Sequence, residues 1–502
     1  MAEASQLPSR IFSLKQFKAS FQRGFHDLEK GRYADALEAF RQLVRIRPDH
    51  APSQHNLGKA FYYLGEIEHA MDHFQESIRI AMDPVSLGSV ASIAPSDPRL
   101  NHAQVLNYRK AWYTSLPTIS KTKHIETATK PSPKKLLRIG YVSSFLHSEN
   151  WMKPVWGLIN HHTRGSFEVH LFSDAPASAV RYGYSKGSFL RFHDISGYDN
   201  DRAASLILKN QIDILVDLNG FSELKRLPLY LNKPAPLLVA WFNMFATSGM
   251  SCVDILIGDE WVIRKNEERW YVEKIVKLPM SYLTFEVNYP VPDVQPPPCL
   301  RNGFITFGSL ASLYKINAEV IRAWAEILKR SPRSRLVLGN RQLEHHCNRE
   351  YTINRFAKFG ISRDRLTLLG PETHYQFLRR YDSLDIALDP FPYNGGTTTT
   401  EAIWQGVPVL TFCGDRWASR TSTSIMSNAG LEDFVCKDME DYIDRAVYLG
   451  SSPKIPAELR QLRLKMRTRV RKSSVCDCSR FAQYMEDIYR KLWQSFLYVG
   501  GR

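Results

Sequence analysis

The residues best suited to chemistry lie in one stretch, 383–420, which reads SLDIALDPFPYNGGTTTTEAIWQGVPVLTFCGDRWASR. A short apolar strand is predicted to run into a proline-rich turn and the pair Gly395-Gly396, followed by four threonines and a helix that opens with Glu401. The first N–H groups of a helix have no partner within it, and the helix dipole adds positive charge there. Such a turn is suited to a phosphate. The four threonines add hydroxyl donors, and Glu401 can accept a hydrogen bond from a ribose hydroxyl.

An ordinary strand–turn–helix with a threonine N-cap would have the same local pattern. The longer context favours a ligand site. The segment from DPFPYNGG to the ASR at 418–420 resembles the nucleotide-sugar site of the O-GlcNAc transferase and SPINDLY-type glycosyltransferase family. The resemblance runs from about Leu137 to Trp493, with helical repeats in front. It implies that the diphosphate of a UDP- or GDP-sugar is held by Asn394, Gly395, Gly396, Thr397 and Thr398.

Composition places the chain among ordinary globular proteins. Its 502 residues are 44% hydrophobic and 23% charged, which predicts two to four domains. No run of 18 apolar residues and no secretory leader are apparent, so we expect no membrane span. Seven cysteines, an odd number, are typical of reduced thiols and predict a cytoplasmic protein. Cys476 and Cys478 lack a second pair at zinc spacing, so no metal site is predicted.

The net charge of +15 raises the question of nucleic-acid binding. The densest basic cluster comprises Arg460, Arg463, Lys465, Arg467, Arg469, Arg471 and Lys472. It has no interleaved aromatic residues and no nucleic-acid motif. We therefore expect a solvated basic helix face or attraction to acidic partners, and nucleic-acid binding is disfavoured.

Residues 17–84 repeat at a 34-residue spacing, with Gly24 matching Gly58 and Phe40 matching Phe74. This is the tetratricopeptide (TPR) pattern, in which small residues allow two helices to cross closely and aromatic residues fill the groove. Two repeats are few for independent stability, so we expect them to stack on following helices. Their role is either a structural cap or a docking groove for a protein acceptor.

After a polar linker, strands and helices alternate twice, on either side of the proline-rich segment YPVPDVQPPP. Alternation of this kind predicts parallel sheets flanked by helices. The predicted fold is α/β: a GT-B glycosyltransferase with two Rossmann-like halves, preceded by an α-helical TPR segment. Its ligand would lie between the carboxyl ends of the sheets. The predicted units are a helical domain 1–116, a linker 117–135, a first half 136–296, a second half 297–475, and a C-terminal helix 476–502. The resemblance implies that this helix packs back on the catalytic region and braces its first half.

The resemblance assigns the main catalytic role to Lys315, in the segment SLYKI. The family's lysine at this place stabilises the charge that grows on the β-phosphate as the sugar leaves, without a metal. Ser312 stands where the family has a glutamine, and its shorter side chain loses reach toward the phosphate or sugar.

The base pocket is also implied by the resemblance, through the segment RLTLLGPETHYQFLRRYDSLDIALD. Glu372 would offer backbone contacts to the uracil edge. His374 stands where animal enzymes have a lysine. Phe377 replaces a histidine that lies against the base, and a phenylalanine can stack there.

The acceptor side departs further from the family. Glu149 occupies the position of the family's histidine, and His147 lies two residues earlier; either can orient or deprotonate an acceptor hydroxyl. Phe221 and the segment from Trp241 to Gly249 also differ from the family pattern. These changes fit a transferase with a different acceptor or sugar, and they also fit a catalytically inactive scaffold.

The leading hypothesis is an inverting, metal-independent glycosyltransferase. It would move GlcNAc or a related hexose from a UDP-sugar to Ser or Thr of a protein docked on the repeats, with no cofactor beyond the donor. The alternative is an inactive GT-B/TPR scaffold that recruits partners.

Overall fold

The computed structural model describes residues 13–117, 136–148, 151–180, 183 and 190–500. It begins with a helical segment in which consecutive helices pack in pairs. Gly24 lies against the ring of Phe40, and Gly58 lies against Phe74, so the predicted crossing of the helices within each repeat is confirmed. The helices are α1 (Leu14–Glu29), α2 (Tyr33–Ile46), α3 (Ala51–Tyr63), α4 (Ile67–Ile80), α5 (Pro84–Ile93) and α6 (His102–Ser115).

The first half is a seven-stranded parallel sheet with the order β3-β2-β1-β4-β5-β6-β7. β1 pairs with β2 from Leu137 opposite Phe167 to Ser143 opposite Ser173. The strands are β1 (Leu137–Ser143), β2 (Phe167–Ser173), β3 (Leu190–Asp194), β4 (Ile214–Asp217), β5 (Leu237–Ala240), β6 (Ile255–Asp259) and β7 (Lys274–Leu278); the helices are α7 (Lys153–His161) and α8 (Asn200–Lys209).

The second half is a six-stranded parallel sheet with the order β10-β9-β8-β11-β12-β13. Its strands are β8 (Thr306–Ser309), β9 (Arg335–Gly339), β10 (Leu366–Leu369), β11 (Ile386–Leu388), β12 (Val409–Phe412) and β13 (Val435–Cys436). Its helices are α9 (Cys299–Asn302), α10 (Ala318–Arg330), α11 (His346–Ala357), α12 (His374–Arg379), α13 (Thr397–Trp404), α14 (Thr421–Asn428), α15 (Met439–Ser451) and α16 (Ile455–Arg471). Two Rossmann-like sheets behind a helical segment confirm the predicted fold class.

The strand order of the second sheet explains where its site forms. β8 and β11 are neighbours, but their chains continue to opposite sides of the sheet, toward β9 and β12 respectively. The loops after these two strands therefore separate and leave a crevice at the carboxyl edge, which is the usual ligand position in such sheets. Residues 310–317 follow β8 and residues 389–396 follow β11.

The C-terminal helix α17 (Cys478–Gly500) packs against α7 of the first half. Glu486 accepts hydrogen bonds from the backbone and hydroxyl of Thr163, at 2.6 and 2.7 Å, and lies 3.0 Å from Nδ1 of His162. Tyr489 adds a contact of 3.2 Å between its hydroxyl and that of Tyr141. This buried polar network joins the end of the chain to the first sheet.

The basic cluster on α16 is not simply a solvated face, so that expectation was wrong for two of its members. Arg463 is only 1% exposed and donates to the carbonyl oxygens of Leu384 and Tyr381, at 2.6 and 2.9 Å. Arg467 donates to the carbonyl oxygens of Trp404 and Pro292. Both arginines use their charge to satisfy carbonyl groups inside the protein.

The repeats pack directly on the second half, and their apolar core is continuous with its core. Arg355 of α11 donates to the carbonyl oxygens of Leu64 and Ile316, at 2.7 and 3.0 Å, and pairs with Glu66 at 3.0 Å. Gly65 lies in the same turn, at φ +80°, and a Cβ there would meet the carbonyl oxygen of Ile316 at 2.5 Å. The second repeat thus supports the loop that follows β8.

Candidate active site

A cleft between the two halves contains most of the predicted donor-side residues. From the second half it is lined by Leu310, Ala311, Ser312, Tyr314, Lys315, Phe377, Tyr393, Gly396, Thr397, Thr398, Glu401 and Thr421. The first half contributes Trp151, Pro154, Phe242, Asn243, Phe245, Tyr282 and Leu283. The site therefore exists only where the carboxyl edges of both sheets meet.

The predicted phosphate turn forms at the start of α13. Among the described residues, no hydrogen-bond acceptor is found for the N–H groups of Thr397 and Thr398, and both side chains are half-buried at the cleft. An eight-residue helix that begins with free N–H groups offers a partial positive charge to an anion. The start of α13 therefore leaves two N–H groups available to an anion, and the phosphate contact itself stays a prediction.

Several groups in this turn serve the protein itself. The N–H of Gly395 donates to Oδ1 of Asp389 at 2.7 Å, so it is not available to a ligand. The hydroxyl of Thr399 contacts that of Ser422 at 2.8 Å, and the hydroxyl of Thr400 donates to the carbonyl oxygen of Thr397 at 2.8 Å. The expectation that all four threonines offer hydroxyls to a phosphate was wrong for the last two.

Asn394 has a structural position rather than an open one. It is 4% exposed, its N–H donates to the carbonyl oxygen of Ala418, and its side-chain amide donates to that of Pro390. Its own carbonyl oxygen accepts from Lys315 at 2.7 Å. Asn394 thus holds the turn and the lysine together.

Lys315 lies at the centre of the site. Its half-buried side chain places the ammonium 4.2 Å from the ring centre of Tyr393, beside the start of α13. Burial lowers the pKa of Lys315 to about 7, and the nearby Asp389 carboxylate only partly opposes this. A bound diphosphate would favour the ammonium form, because an opposite charge at close range raises the pKa of a lysine.

The predicted base-side residues are split between the cleft and its surroundings. Phe377 lines the cleft and meets Tyr381 edge-on at 6.1 Å. Ser312 also lines the cleft. Glu372 is exposed outside the lining, and its carboxylate is 3.5 Å from Arg380. The predicted base contacts stay predictions.

Glu401 has partners of its own within the protein. It is 2% exposed and pairs with Lys153 of α7, while Nε2 of His374 lies 3.1 Å from the same carboxylate oxygen. Burial opposes ionisation, but the Lys153 ammonium and His374 hold the pKa of Glu401 below its usual value. The ribose contact expected of Glu401 therefore stays a prediction. His374, which was predicted on the base side, contacts the Glu401 carboxylate.

Sequence reasoning missed Lys153, although one signal was available. It is the first residue of α7, where a positive charge is disfavoured by the helix dipole. A lysine at such a position indicates a specific acidic partner. That partner lies in the other half of the protein, which no local pattern reveals.

The first half forms an aromatic wall. Its central segment is shaped by Asn243 and Phe245, both at positive φ, +62° and +55°. Arg109 of α6 holds this segment from behind, donating to the carbonyl oxygens of Met244 and Thr247 at 3.0 and 2.5 Å. Arg109 is another functional candidate that the sequence alone did not reveal.

The two predicted base candidates are not placed at the cleft by the described residues. His147 is exposed and does not line the cleft. Glu149 lies outside the described residues, as does most of the predicted linker. Both roles stay predictions.

A second cavity of about 530 Å³ opens beside the cleft. It lies between the repeats and the catalytic halves, and shares Trp151, Asn243, Phe245, Tyr314 and Tyr393 with the cleft. Its outer wall is formed by residues of α3 and α5, including His55, Lys59, Tyr62, Tyr63 and Ser89. A chain that enters along the repeats would therefore reach the cleft through an aromatic passage.

Among the described helices, none has the length and apolar character that crossing a bilayer requires. Within the same residues, no three His, Cys, Asp or Glu side chains are grouped so as to hold a metal ion.

The family model for glycosyl transferase family 41 matches residues 112–293 and 298–485, and a tetratricopeptide repeat model matches residues 17–83. The chain belongs to glycosyl transferase family 41. The cleft just described lies entirely within the residues that the family 41 model covers.

Plant relatives include the probable UDP-N-acetylglucosamine–peptide N-acetylglucosaminyltransferases SPINDLY of Solanum lycopersicum, 32% identical over 372 residues, and of Oryza sativa, 33% identical over 370. Each alignment covers 72% of this chain but only 39% of the plant protein. A solved O-GlcNAc transferase mutant of Thermobaculum terrenum superposes with a TM-score of 0.84 at 27% identity, covering 97% of this chain and 93% of that one. The likeness to this bacterial member of the family thus includes the helical segment.

Proposed function

We propose that this family 41 protein transfers a sugar, GlcNAc or a related hexose, from a UDP-sugar to Ser or Thr of a protein. The proposal includes inversion at the anomeric carbon and independence from metal. The observation that carries it is the convergence of Lys315 with the free N–H groups of Thr397 and Thr398 in one cleft between two Rossmann-like sheets. The plant and bacterial relatives, named for N-acetylglucosaminyl transfer, support the choice of sugar.

In this mechanism the second half receives the leaving group. As the bond between the anomeric carbon and the β-phosphate oxygen breaks, negative charge grows on that oxygen. Lys315 and the start of α13 stabilise this charge more in the transition state than in the ground state. The contact of Lys315 with the carbonyl oxygen of Asn394 keeps the ammonium at the turn before the donor arrives.

The acceptor hydroxyl attacks from the side of the first half. Its proton is taken by Glu149, by His147, by water or by a phosphate oxygen of the donor itself. Glu149→Gln is expected to reduce transfer far more than it reduces donor binding, while His147→Gln has a smaller effect. Full activity of Glu149→Gln would exclude this carboxylate as the base.

The cavity beside the cleft supports a protein acceptor. An extended segment lying along α3 and α5 would pass Tyr62 and Tyr63 before reaching Tyr393 and Lys315. Aromatic side chains provide large contact areas at low entropic cost, which suits recognition of an extended peptide. The repeats would then serve both as a docking groove and as a support for the catalytic halves.

The direct test is to incubate the protein with UDP-GlcNAc labelled in the sugar, with and without EDTA, and with a protein extract as acceptor. We expect labelled protein in both conditions, and released sugar where no acceptor is added. Anomeric configuration of the product, read by NMR, tests inversion. A protein that binds the UDP-sugar but neither hydrolyses nor transfers it would be the scaffold instead.

A further inference from the structure

Glu401 raises an electrostatic problem for a site that binds a diphosphate. It lies in α13, one turn from the N–H groups of Thr397 and Thr398, and it is 2% exposed. A buried carboxylate at this position repels an incoming anion and weakens the positive field of the helix start. The site therefore needs a positive charge that neutralises Glu401 without entering the cleft.

Lys153 meets that need from the other half of the protein. Its side chain is 1% exposed and is not part of the cleft lining, yet its ammonium pairs with Glu401 and lies 2.5 Å from Nε2 of His374. It also lies 4.5 Å from the ring centre of Tyr289, in the segment that joins the two halves. α7 thus places a positive charge next to the donor site, outside the residues that line the cleft.

We propose that Lys153 is a positioning residue for donor binding: it neutralises and orients Glu401 from the first half, so that the donor site of the second half depends on a charge that the first half supplies. This inference rests on the proposed function, because it concerns the same donor site. It assigns a role to a residue that no motif marks, and it makes donor affinity depend on contact between the halves.

The surroundings of Glu401 define what removal of the lysine would do. Among the described residues, the titratable groups that face Glu401 are Lys153 of α7, His374 of α12, Tyr289 between the halves, and Tyr381 of the turn after α12. Only one of the four, Lys153, normally carries a full positive charge at pH 8. Without it, burial would raise the pKa of Glu401, and the carboxylate would be either charged and repulsive or protonated, depending on pH.

The test compares Lys153→Met, Lys153→Arg, Glu401→Gln and the double variant Lys153→Met/Glu401→Gln in the full chain. UDP binding is measured by isothermal titration at pH 8 and pH 5.5. We expect Lys153→Met to weaken UDP binding about tenfold or more at pH 8 and to recover in part at pH 5.5, as Glu401 takes up a proton. The double variant should bind within about threefold of Glu401→Gln, because the lysine acts through the carboxylate.

Three further results distinguish a lysine that acts through its charge on donor binding from one that only stabilises the fold. Lys153→Arg should keep affinity within about threefold of the wild type, since the charge is retained. Lys233→Met, which removes a half-exposed lysine of the first half paired with Asp254, is the control and should leave UDP binding unchanged. In transfer assays, Lys153→Met should raise the KM for the donor far more than it lowers kcat.

Stability without ligand gives an independent readout. In Lys153→Met we expect burial to raise the folded-state pKa of Glu401 above its unfolded value. This variant should then lose stability as pH rises from 5 to 8, and the double variant should not. Equal UDP affinity of Lys153→Met and wild type, or additive losses in the double variant, would overturn the inference. A wild type that does not bind UDP would overturn the proposed function and this inference with it.

Discussion

The two walls of the cleft differ in chemical character. The wall from the second half consists of polar backbone and one cation: the start of α13, the turn at Asn394 and the ammonium of Lys315. The wall from the first half is aromatic and loop-built, with Phe245 and Trp151 at its surface. Leaving-group chemistry is concentrated on one side, and the shape that an acceptor meets is set by the other.

Both walls are supported by the helical segment, though through different contacts. Arg355 and Gly65 join the second repeat to the loop that carries Lys315. Arg109 of α6 joins the same segment to residues 244–247 of the aromatic wall. The repeats are therefore part of the framework of the site, in addition to any role in docking an acceptor.

The sharpest way to test the polar wall is Lys315→Met. Loss of the leaving-group cation should lower kcat at least 100-fold, a loss of roughly 3 kcal/mol in transition-state stabilisation. Lys437→Met, which removes a lysine with 88% of its side chain exposed, is the control. Near-normal turnover by Lys315→Met would remove this residue from the mechanism.

The aromatic wall is tested through Arg109, which is 1% exposed. Arg109→Met leaves buried carbonyl groups without donors, each at a cost of about 1–3 kcal/mol, and releases residues 244–247. We expect transfer to fall about 30-fold, with UDP affinity within about twofold of wild type. Arg79→Met, at an exposed position in the repeats, should change neither quantity. Equal losses of UDP binding and transfer would show that the two walls are not separable.

Binding of the nucleobase at the polar wall is expected to depend on Phe377. Phe377→Ala should weaken UDP binding by about 1–3 kcal/mol, the range for stacking of a base on an aromatic side chain. The exposed Tyr375 on the same helix provides the control, Tyr375→Ala. If both variants bind UDP as the wild type does, the uracil lies elsewhere.

The contact of the second repeat with the Lys315 loop can be tested with a matched pair of glycine variants. Its expected effect on transfer is the smallest of those considered. Gly65 and Gly31 occupy equivalent turns at φ +80° and +75°, but a Cβ at Gly31 meets nothing closer than 3.7 Å, whereas at Gly65 it meets two carbonyl oxygens at 2.5 and 2.6 Å. Both alanine variants pay the same backbone strain, about 1–2 kcal/mol. Only Gly65→Ala should displace the Lys315 loop, with transfer about tenfold lower than in Gly31→Ala. Equal activities would disprove the supporting role.

The fold and the turn at the start of α13 were predictable because their signals are local, whereas Lys315 was predicted only through the family resemblance. A strand, a glycine pair and a threonine-rich helix start occur within twenty residues of sequence, and the strand–helix alternation predicts two parallel sheets. The contacts that matter most elsewhere are long-range. Lys153 reaches Glu401 across 248 positions and Arg109 reaches Met244 across 135, and no pattern within one element records such a pairing.

Burial also gives a different role to several residues that the sequence motif includes. Thr400 and Glu401 are in the predicted motif, yet the hydroxyl of Thr400 donates to a carbonyl oxygen of its own helix and the carboxylate of Glu401 is paired inside the protein. Arg463 is part of a basic cluster by sequence but satisfies buried carbonyl groups. Residue type predicts the chemistry available at a position, while only the fold decides whether that chemistry faces a ligand.

The central claim is that the cleft is a UDP-sugar site in which Lys315 meets the diphosphate. The most direct measurement is isothermal titration of the wild type and of Lys315→Met with UDP, GDP and CMP. We predict one UDP site per chain in the wild type, weaker binding of GDP and CMP, and a marked loss of UDP affinity in Lys315→Met. Absence of nucleotide binding by the wild type, or equal UDP affinity of the two proteins, would contradict it.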